Sequence, residues 1–163
     1  MYSHNQQSGF SLIELLIVVA IIGILAAIAI PSMLASRRAA NEGSAISSLR
    51  TIHSAQATYH GTSGAGSYGT LPQLLAQSLV DSDLGAGNKS GYSFVCGAGN
   101  LTAGPPATYY ATAAPNNVSA VGRTGTRSFS VAEDGMLRGN STDVPPPNHA
   151  DAVDSALWPP VNN

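Results

Sequence analysis

The sequence predicts an α+β fold, with one long N-terminal helix laid against a small antiparallel sheet. Three observations predict it. An unbroken apolar run, LLIVVAIIGILAAIAI, occupies Leu15 to Ile30. Beyond Pro31 the apolar pattern becomes periodic, with Ala45, Leu49, Ile52, Gln56 and Tyr59 separated by alternating four- and three-residue steps. Between Gly91 and Arg138, short β-type runs alternate with turn residues. The 44% apolar fraction of the 163 residues is therefore unevenly placed. Glu14 is the only charge between Ser11 and Ser36, and the chain after Arg37 is rich in Gly, Ser, Thr, Ala, Asn and Pro.

The segment 10–35 supplies the roughly 20 apolar residues that a helix needs to cross hydrocarbon. A cleaved secretory signal would have a basic start, a shorter apolar core and a small-residue cleavage site. The opening MYSHNQQSG has no Lys or Arg, and an acid heads the apolar core. Arg37 and Arg38 flank the far end of the run. Basic flanks mark the cytoplasmic side, but weakly for long translocated domains. A newly exposed N-terminal amine would add positive charge at the opposite flank, so the domain after Arg38 is expected outside. Glu14 carries a physical argument of its own, because a carboxylate within a bilayer is costly and is a functional candidate by default. Its natural partner is a cation at equal depth; the alternative is an acid at the helix start, complementing the dipole there.

Gly23 and Pro31 bracket IGILAAIAIP, and each weakens a helix, glycine through backbone entropy and proline by removing a hydrogen bond. That stretch is poised to lengthen, or else holds an ordinary proline kink. Residues 36–60 form the amphipathic half, with Ser47, Arg50, Ser54 and Thr58 away from the apolar face. A helix unbroken from Phe10 to Tyr59 would be about 75 Å long, so its outer half needs a soluble domain to cover it.

Three glycines in His60 to Gly66 end the helix and open a connecting region over 61–90. Within it a short helix is predicted over Leu71 to Gln77, with Thr70 as N-cap and Pro72 in the tolerated first turn. The sheet is placed in 91–138, with strands over Gly91 to Cys96, Ala107 to Ala113 and Arg127 to Val131. Met136 to Arg138 would be a fourth, after the turn residues Glu133, Asp134 and Gly135. Tyr92, Phe94, Tyr110 and Phe129 are the aromatics assigned to face the helix. The tail, 139–163, carries Pro145 to Pro147 and Pro159 to Pro160 and is expected to be extended or irregular, with Trp158 folding it back onto the domain or onto a neighbouring subunit.

Formal charge −2 and only seven Lys and Arg, of which only Arg37 and Arg38 are adjacent, argue against a clustered basic face for nucleic acid. Cys96 is the sole cysteine, so neither an intrachain disulfide, a four-cysteine zinc site nor a CxxC redox pair can form. A buried or tolerated thiol is expected. His53 and His60 are seven residues apart, too far for the paired ligation that a four-residue spacing permits. Asp151 and Asp154 lack the spacing of a calcium loop. No GxSxG elbow or phosphate-cradling loop occurs, so no catalytic residue, metal or cofactor is expected. The Asn-X-Ser/Thr matches at Asn88, Asn100, Asn117 and Asn140 are frequent by chance in such a composition and matter only where the transferase exists.

The run Gly9-Phe10-Ser11-Leu12-Ile13-Glu14-Leu15, followed by the apolar stretch and Pro31, resembles the N-terminal signature of class III signal-bearing proteins, the type IV pilins and the pseudopilins of type II secretion. The resemblance covers roughly the first third of the chain. It implies a leader, 1–9, carrying His4 and no Lys or Arg, cut between Gly9 and Phe10 by a prepilin peptidase that also methylates the Phe10 amine. A mature chain of 154 residues would remain, from 163 minus nine. It further implies that Glu14 pairs with the Phe10 amine of a neighbouring subunit, and that the helix between Gly23 and Pro31 loses hydrogen bonds in the fibre. The implied partners are copies of the same chain, the peptidase, the pilus assembly machinery and inner-membrane lipid. The implied path runs from single-pass precursor to an extracellular filament for motility, adhesion or DNA uptake. A type II secretion pseudopilin is the nearest alternative, although no acidic calcium loop is evident near the C-terminus. A membrane-tethered enzyme or ligand-binding domain is the alternative from another class.

Overall fold

A computed structural model describes residues 9–98, 107–119, 122–142 and 144–161. The chain divides into two compact units that meet between Ser36 and Arg37. Helix α1 runs Leu12–Gly61. It is followed by α2 (Leu71–Ala76), α3 (Ser82–Gly85), β1 (Asn88–Lys89), β2 (Tyr92–Ala98), β3 (Tyr109–Pro115), β4 (Ser128–Ala132), β5 (Arg138–Asn140) and α4 (His149–Val153). A long N-terminal helix and an antiparallel sheet give the α+β, pilin-like architecture that the sequence predicts.

In the second unit the sheet is a five-stranded meander, β1-β2-β3-β4-β5, every neighbour antiparallel. The periodic face of α1 supplies Ala45, Leu49, Ile52 and Ala55 to a core that also holds Leu71, Leu74, Leu84, Tyr92, Phe94, Ala111, Ala113, Phe129 and Val131. Register explains how bulky and small side chains share this layer. Ala113 lies opposite Phe94 on one side and Phe129 on the other, so an alanine separates two large rings across the sheet. Gln56, fully buried, satisfies its amide as a strand residue would. Its Nε2 donates to the Gly69 carbonyl at 2.5 Å, and its Oε1 accepts from the Gly69 N–H at 2.9 Å. A polar residue at a core position of the helix thus leaves no orphaned group, and it anchors the returning loop. Ser48 and Ala55, which the spacing argument did not place, are also buried.

The turn after α1 depends on glycine at one position. A Cβ on Gly64 would lie 2.1 Å from the Ser67 carbonyl oxygen and 2.8 Å from the Tyr59 ring. In α2 the Gln73 Oε1 accepts from the Thr70 N–H at 2.8 Å, as Thr70 at the N-cap anticipates. Helix α3 is capped by Asp81, whose Oδ1 accepts from the Leu84 N–H at 2.9 Å. This helix and the two-residue β1 were not foreseen, being too short to carry a periodic signal.

Two sequence expectations are corrected here. Tyr110 does not face α1; its hydroxyl donates to the Pro147 carbonyl at 3.1 Å, and Tyr109 is the buried tyrosine, 2% exposed. Adjacent tyrosines fit either strand phase, and a slip of one residue moves a side chain to the opposite face. The fourth strand begins at Arg138 rather than Met136. Met136 still belongs to the turn, its N–H donating to Asp134 Oδ1 at 2.9 Å, with Gly135 at φ 69°. The buried Arg138 guanidinium closes this turn by pairing with Asp134 at 2.6 Å and donating to the Met136 carbonyl at 3.2 Å.

The second face of the sheet carries Thr112, Ala114, Ser128, Ser130 and Ala132, all buried. The C-terminal segment covers it. Rather than extended throughout, this segment forms α4, capped by Asn148 and packed on β3 and β4. Ser130 donates to the Ala152 carbonyl at 3.3 Å, and His149 Nε2 lies 2.8 and 2.9 Å from the two Glu133 carboxylate oxygens. Trp158 is 6% exposed. Beyond it, the Val161 N–H donates to the Leu137 carbonyl and the Gly139 N–H to the Pro159 carbonyl, so residues 159–161 pair along β5.

Candidate functional site

The feature that sets the first unit apart is its exposed apolar surface. Phe10 is 77% exposed and Leu12 82%, and Ile13, Leu15, Leu16, Ile17, Val18, Val19, Ile21, Ile22, Ile24, Leu25, Ile28, Ile30 and Met33 are exposed as well. Removing one such side chain from water is worth about 1.5 to 3 kcal/mol, so a surface of this extent calls for lipid or protein around it. Among the described residues, α1 is the one helix long and apolar enough to cross a membrane.

Glu14 sits in the first turn of α1, its N–H donating to the Ser11 carbonyl at 3.1 Å. Its charge therefore meets the positive end of the helix dipole, and it is the lone acid in the apolar segment. Gly9 and Phe10 lie before the helix, with Ser11 between, and are both exposed, leaving that peptide accessible. Pro31 lies inside the helix and offers no N–H to the Ala27 carbonyl one turn back. A Cβ on Gly23 would meet nothing within 4 Å, so steric crowding within the chain does not require glycine there. His4 and the other residues before Gly9 lie outside the described residues, as does Asn100.

The other chemistry-bearing residues are engaged within the domain. His53 Nδ1 lies 2.5 Å from the Tyr109 hydroxyl, and His60 stacks on Tyr68 with centroids 4.7 Å apart. Asp151 Oδ2 accepts from Asn148 Nδ2 at 2.8 Å, and Asp154 Oδ1 accepts from the Ala156 N–H at 2.8 Å. No group of three or more His, Cys, Asp or Glu suited to a metal occurs among the described residues. The contact of His149 with Glu133 is not legible in the sequence, since sixteen residues separate the two.

Cys96 receives a hydrogen bond from Gln56 Nε2 at 3.0 Å. Burial pushes its thiol up to about 11, against the smaller opposing effect of Gln56. At neutral pH almost no thiolate is present. Alkylation of Cys96 by iodoacetamide at pH 7.5 is expected to be at least about tenfold slower in the folded chain than in urea; equal rates would contradict the part-buried placement.

The comparisons with known proteins converge on the N-terminal segment. A model of the prokaryotic N-terminal methylation motif matches residues 4–30. Over 51 residues the chain is 49% identical to the type IV major pilin protein PilA of Myxococcus xanthus, a match covering 31% of this chain and 23% of that protein. Over 34 residues it is 68% identical to the type IV wide pilus major component PilA4 of Thermus thermophilus, covering 21% and 26% respectively. The chain thus spans about a quarter of the length of the curated relatives it matches. No solved structure matches. The chain joins a membrane-length apolar helix to an α+β, pilin-like fold. Its N-terminal segment carries the prokaryotic methylation motif and is similar to the corresponding segments of these type IV major pilins.

Proposed function

We propose that this protein is a structural, non-catalytic subunit of a type IV pilus, held in the inner membrane as a precursor and polymerised into an extracellular filament. The observation that carries the reading is the exposed apolar half of α1, headed by a lone acid. Lipid covers that surface before assembly, and neighbouring copies of the same surface cover it afterwards. One segment thereby serves as anchor and as polymer core, and the second unit has a closed core of its own.

Processing follows from the exposed junction. The prepilin peptidase cuts between Gly9 and Phe10, where glycine adds no Cβ to an extended peptide entering a protease groove, and the Phe10 amine is then methylated. Each Glu14 pairs with the Phe10 amine of a neighbour, neutralising two charges inside an apolar bundle and fixing axial register. Top-down mass spectrometry of the subunit is the test. The expected mature chain begins with N-methylated Phe10; an intact Met1, or a cut after Ala35, would overturn the assignment.

Assembly also changes the helix. Gly23 and Pro31 are the two weak helix formers of the apolar run, so the turns between them are the first to open when neighbours pull on the segment. The expected result is a helix continuous or gently kinked in the membrane and extended between Gly23 and Pro31 in the fibre. A fibre reconstruction with unbroken helix through Ala26 and Ala27 would contradict it.

A further inference from the structure

We infer that Arg37 is a phospholipid-binding residue, its guanidinium gripping the phosphodiester of an anionic headgroup where the apolar segment ends. The inference rests on the membrane-anchored reading and adds to it a ligand for a particular side chain. The argument starts from the cations. Lys89 pairs with Asp81 at 2.6 Å, Arg138 pairs with Asp134, and Arg127 lies over the Phe129 ring at 5.3 Å. Arg38, Arg50 and Arg123 each have an interaction within the chain. Among the described residues, Arg37 alone of the Lys and Arg side chains has no ion pair, side-chain hydrogen bond or ring contact, and it is exposed.

Its place in the sequence supplies the partner. The apolar segment from Phe10 to Ala35 has 26 residues, about 39 Å at the ordinary helical rise. A bilayer with its headgroups is about 40 to 45 Å thick, so a residue just past Ala35 falls at headgroup depth when Phe10 lies at the opposite surface. Ser36 separates the apolar segment from Arg37, and the next acid in the sequence, Glu42, already accepts from the Thr126 N–H and hydroxyl, both at 2.7 Å. A guanidinium keeps its charge at any working pH and presents a planar fork that matches two phosphate oxygens. Arginine also lets its stem follow the apolar surface while its head reaches the phosphate layer. The contact gives the precursor a defined depth, and it must be released when the subunit leaves the membrane.

The test uses the full chain in nanodiscs of phosphatidylcholine with one quarter phosphatidylglycerol, with native mass spectrometry counting the lipids that remain bound. The wild-type chain is expected to retain phosphatidylglycerol above its share of the bilayer. Arg37→Gln is expected to lower that enrichment about fivefold, as the loss of one basic residue at a membrane surface implies. Arg37→Lys should keep part of it, and Lys89→Gln, far from the apolar segment in sequence, should keep all of it. No enrichment in the wild type, or equal enrichment in Arg37→Gln, would overturn the proposal while leaving the membrane anchor intact. Unchanged lipid retention with fewer fibres in Arg37→Gln would assign the residue to a contact between subunits instead. A chain that fails to enter nanodiscs at all would overturn the anchor reading, and this proposal with it.

Discussion

Glu14→Ala is expected to leave the precursor stably inserted and to remove most or all fibres. Insertion should not suffer, since the substitution deletes the only charge in the apolar run and makes that run more hydrophobic. Assembly should suffer because each Phe10 amine would enter an apolar bundle without its counter-charge. Breaking a buried pair by deleting one partner costs about 3 to 5 kcal/mol, and the cost recurs at every subunit added. The variant is expressed as the sole copy of the chain, its membrane pool measured, and surface fibres counted by microscopy. Glu14→Gln separates charge from size, and it should also fail if the pairing is ionic. Normal numbers of ordered fibres from Glu14→Ala would reduce Glu14 to a helix-start residue, a role its position in the first turn already allows.

Trp158→Ala is expected to cost the domain about 3 to 5 kcal/mol, the usual range for truncating a buried large aromatic. Trp158 is 6% exposed near the end of the segment that closes the second face of the sheet. That face is built from Thr112, Ala114, Ser128, Ser130 and Ala132, small or hydroxylated residues that offer little apolar area, so its closure depends on the covering segment. The Trp158 N–H is tied to the Asp154 carbonyl at 2.8 Å, and the chain then runs on to pair with β5. Urea unfolding of the detergent-solubilised chain, followed by tyrosine circular dichroism, measures the loss. Leu157→Ala serves as the control, because Leu157 is exposed and should change stability by less than about 0.5 kcal/mol. A loss below about 1 kcal/mol for Trp158→Ala would mean that the segment lies on the domain without supporting it.

The parts of the structure legible in the sequence were those written in long periods. The apolar run and the four- and three-residue steps from Ala45 to Tyr59 place α1 at Leu12–Gly61, within two residues of the predicted ends. The β2, β3 and β4 runs were recoverable because β-branched and aromatic residues mark them, although each boundary moved by one or two residues. What stayed hidden was local or distant. Strand phase at Tyr109 and Tyr110 cannot be chosen when both positions hold the same side chain. The start of β5 was displaced because Asp134 captures the Met136 N–H, a competition between side chain and ladder that hydrophobic pattern does not encode. Helix α4 follows three prolines and spans five residues, so composition hid it. For the candidate site the balance is reversed. Gly9, Phe10, Glu14, Gly23 and Pro31 were singled out by their spacing and the resemblance it carries, while the distinction of Arg37 from the other cations emerged only once their partners were known.

The measurement that bears most directly on the account is the composition and structure of fibres sheared from the cell surface. Mass spectrometry of the purified fibres should find this chain as a repeating component, beginning at N-methylated Phe10. A reconstruction should place the apolar half of α1 at the fibre centre, with Glu14 beside a neighbouring Phe10 amine and the five-stranded sheet toward solvent. Fibres that lack the chain in cells that express and process it, or a reconstruction with the apolar helix outside the fibre core, would contradict the account.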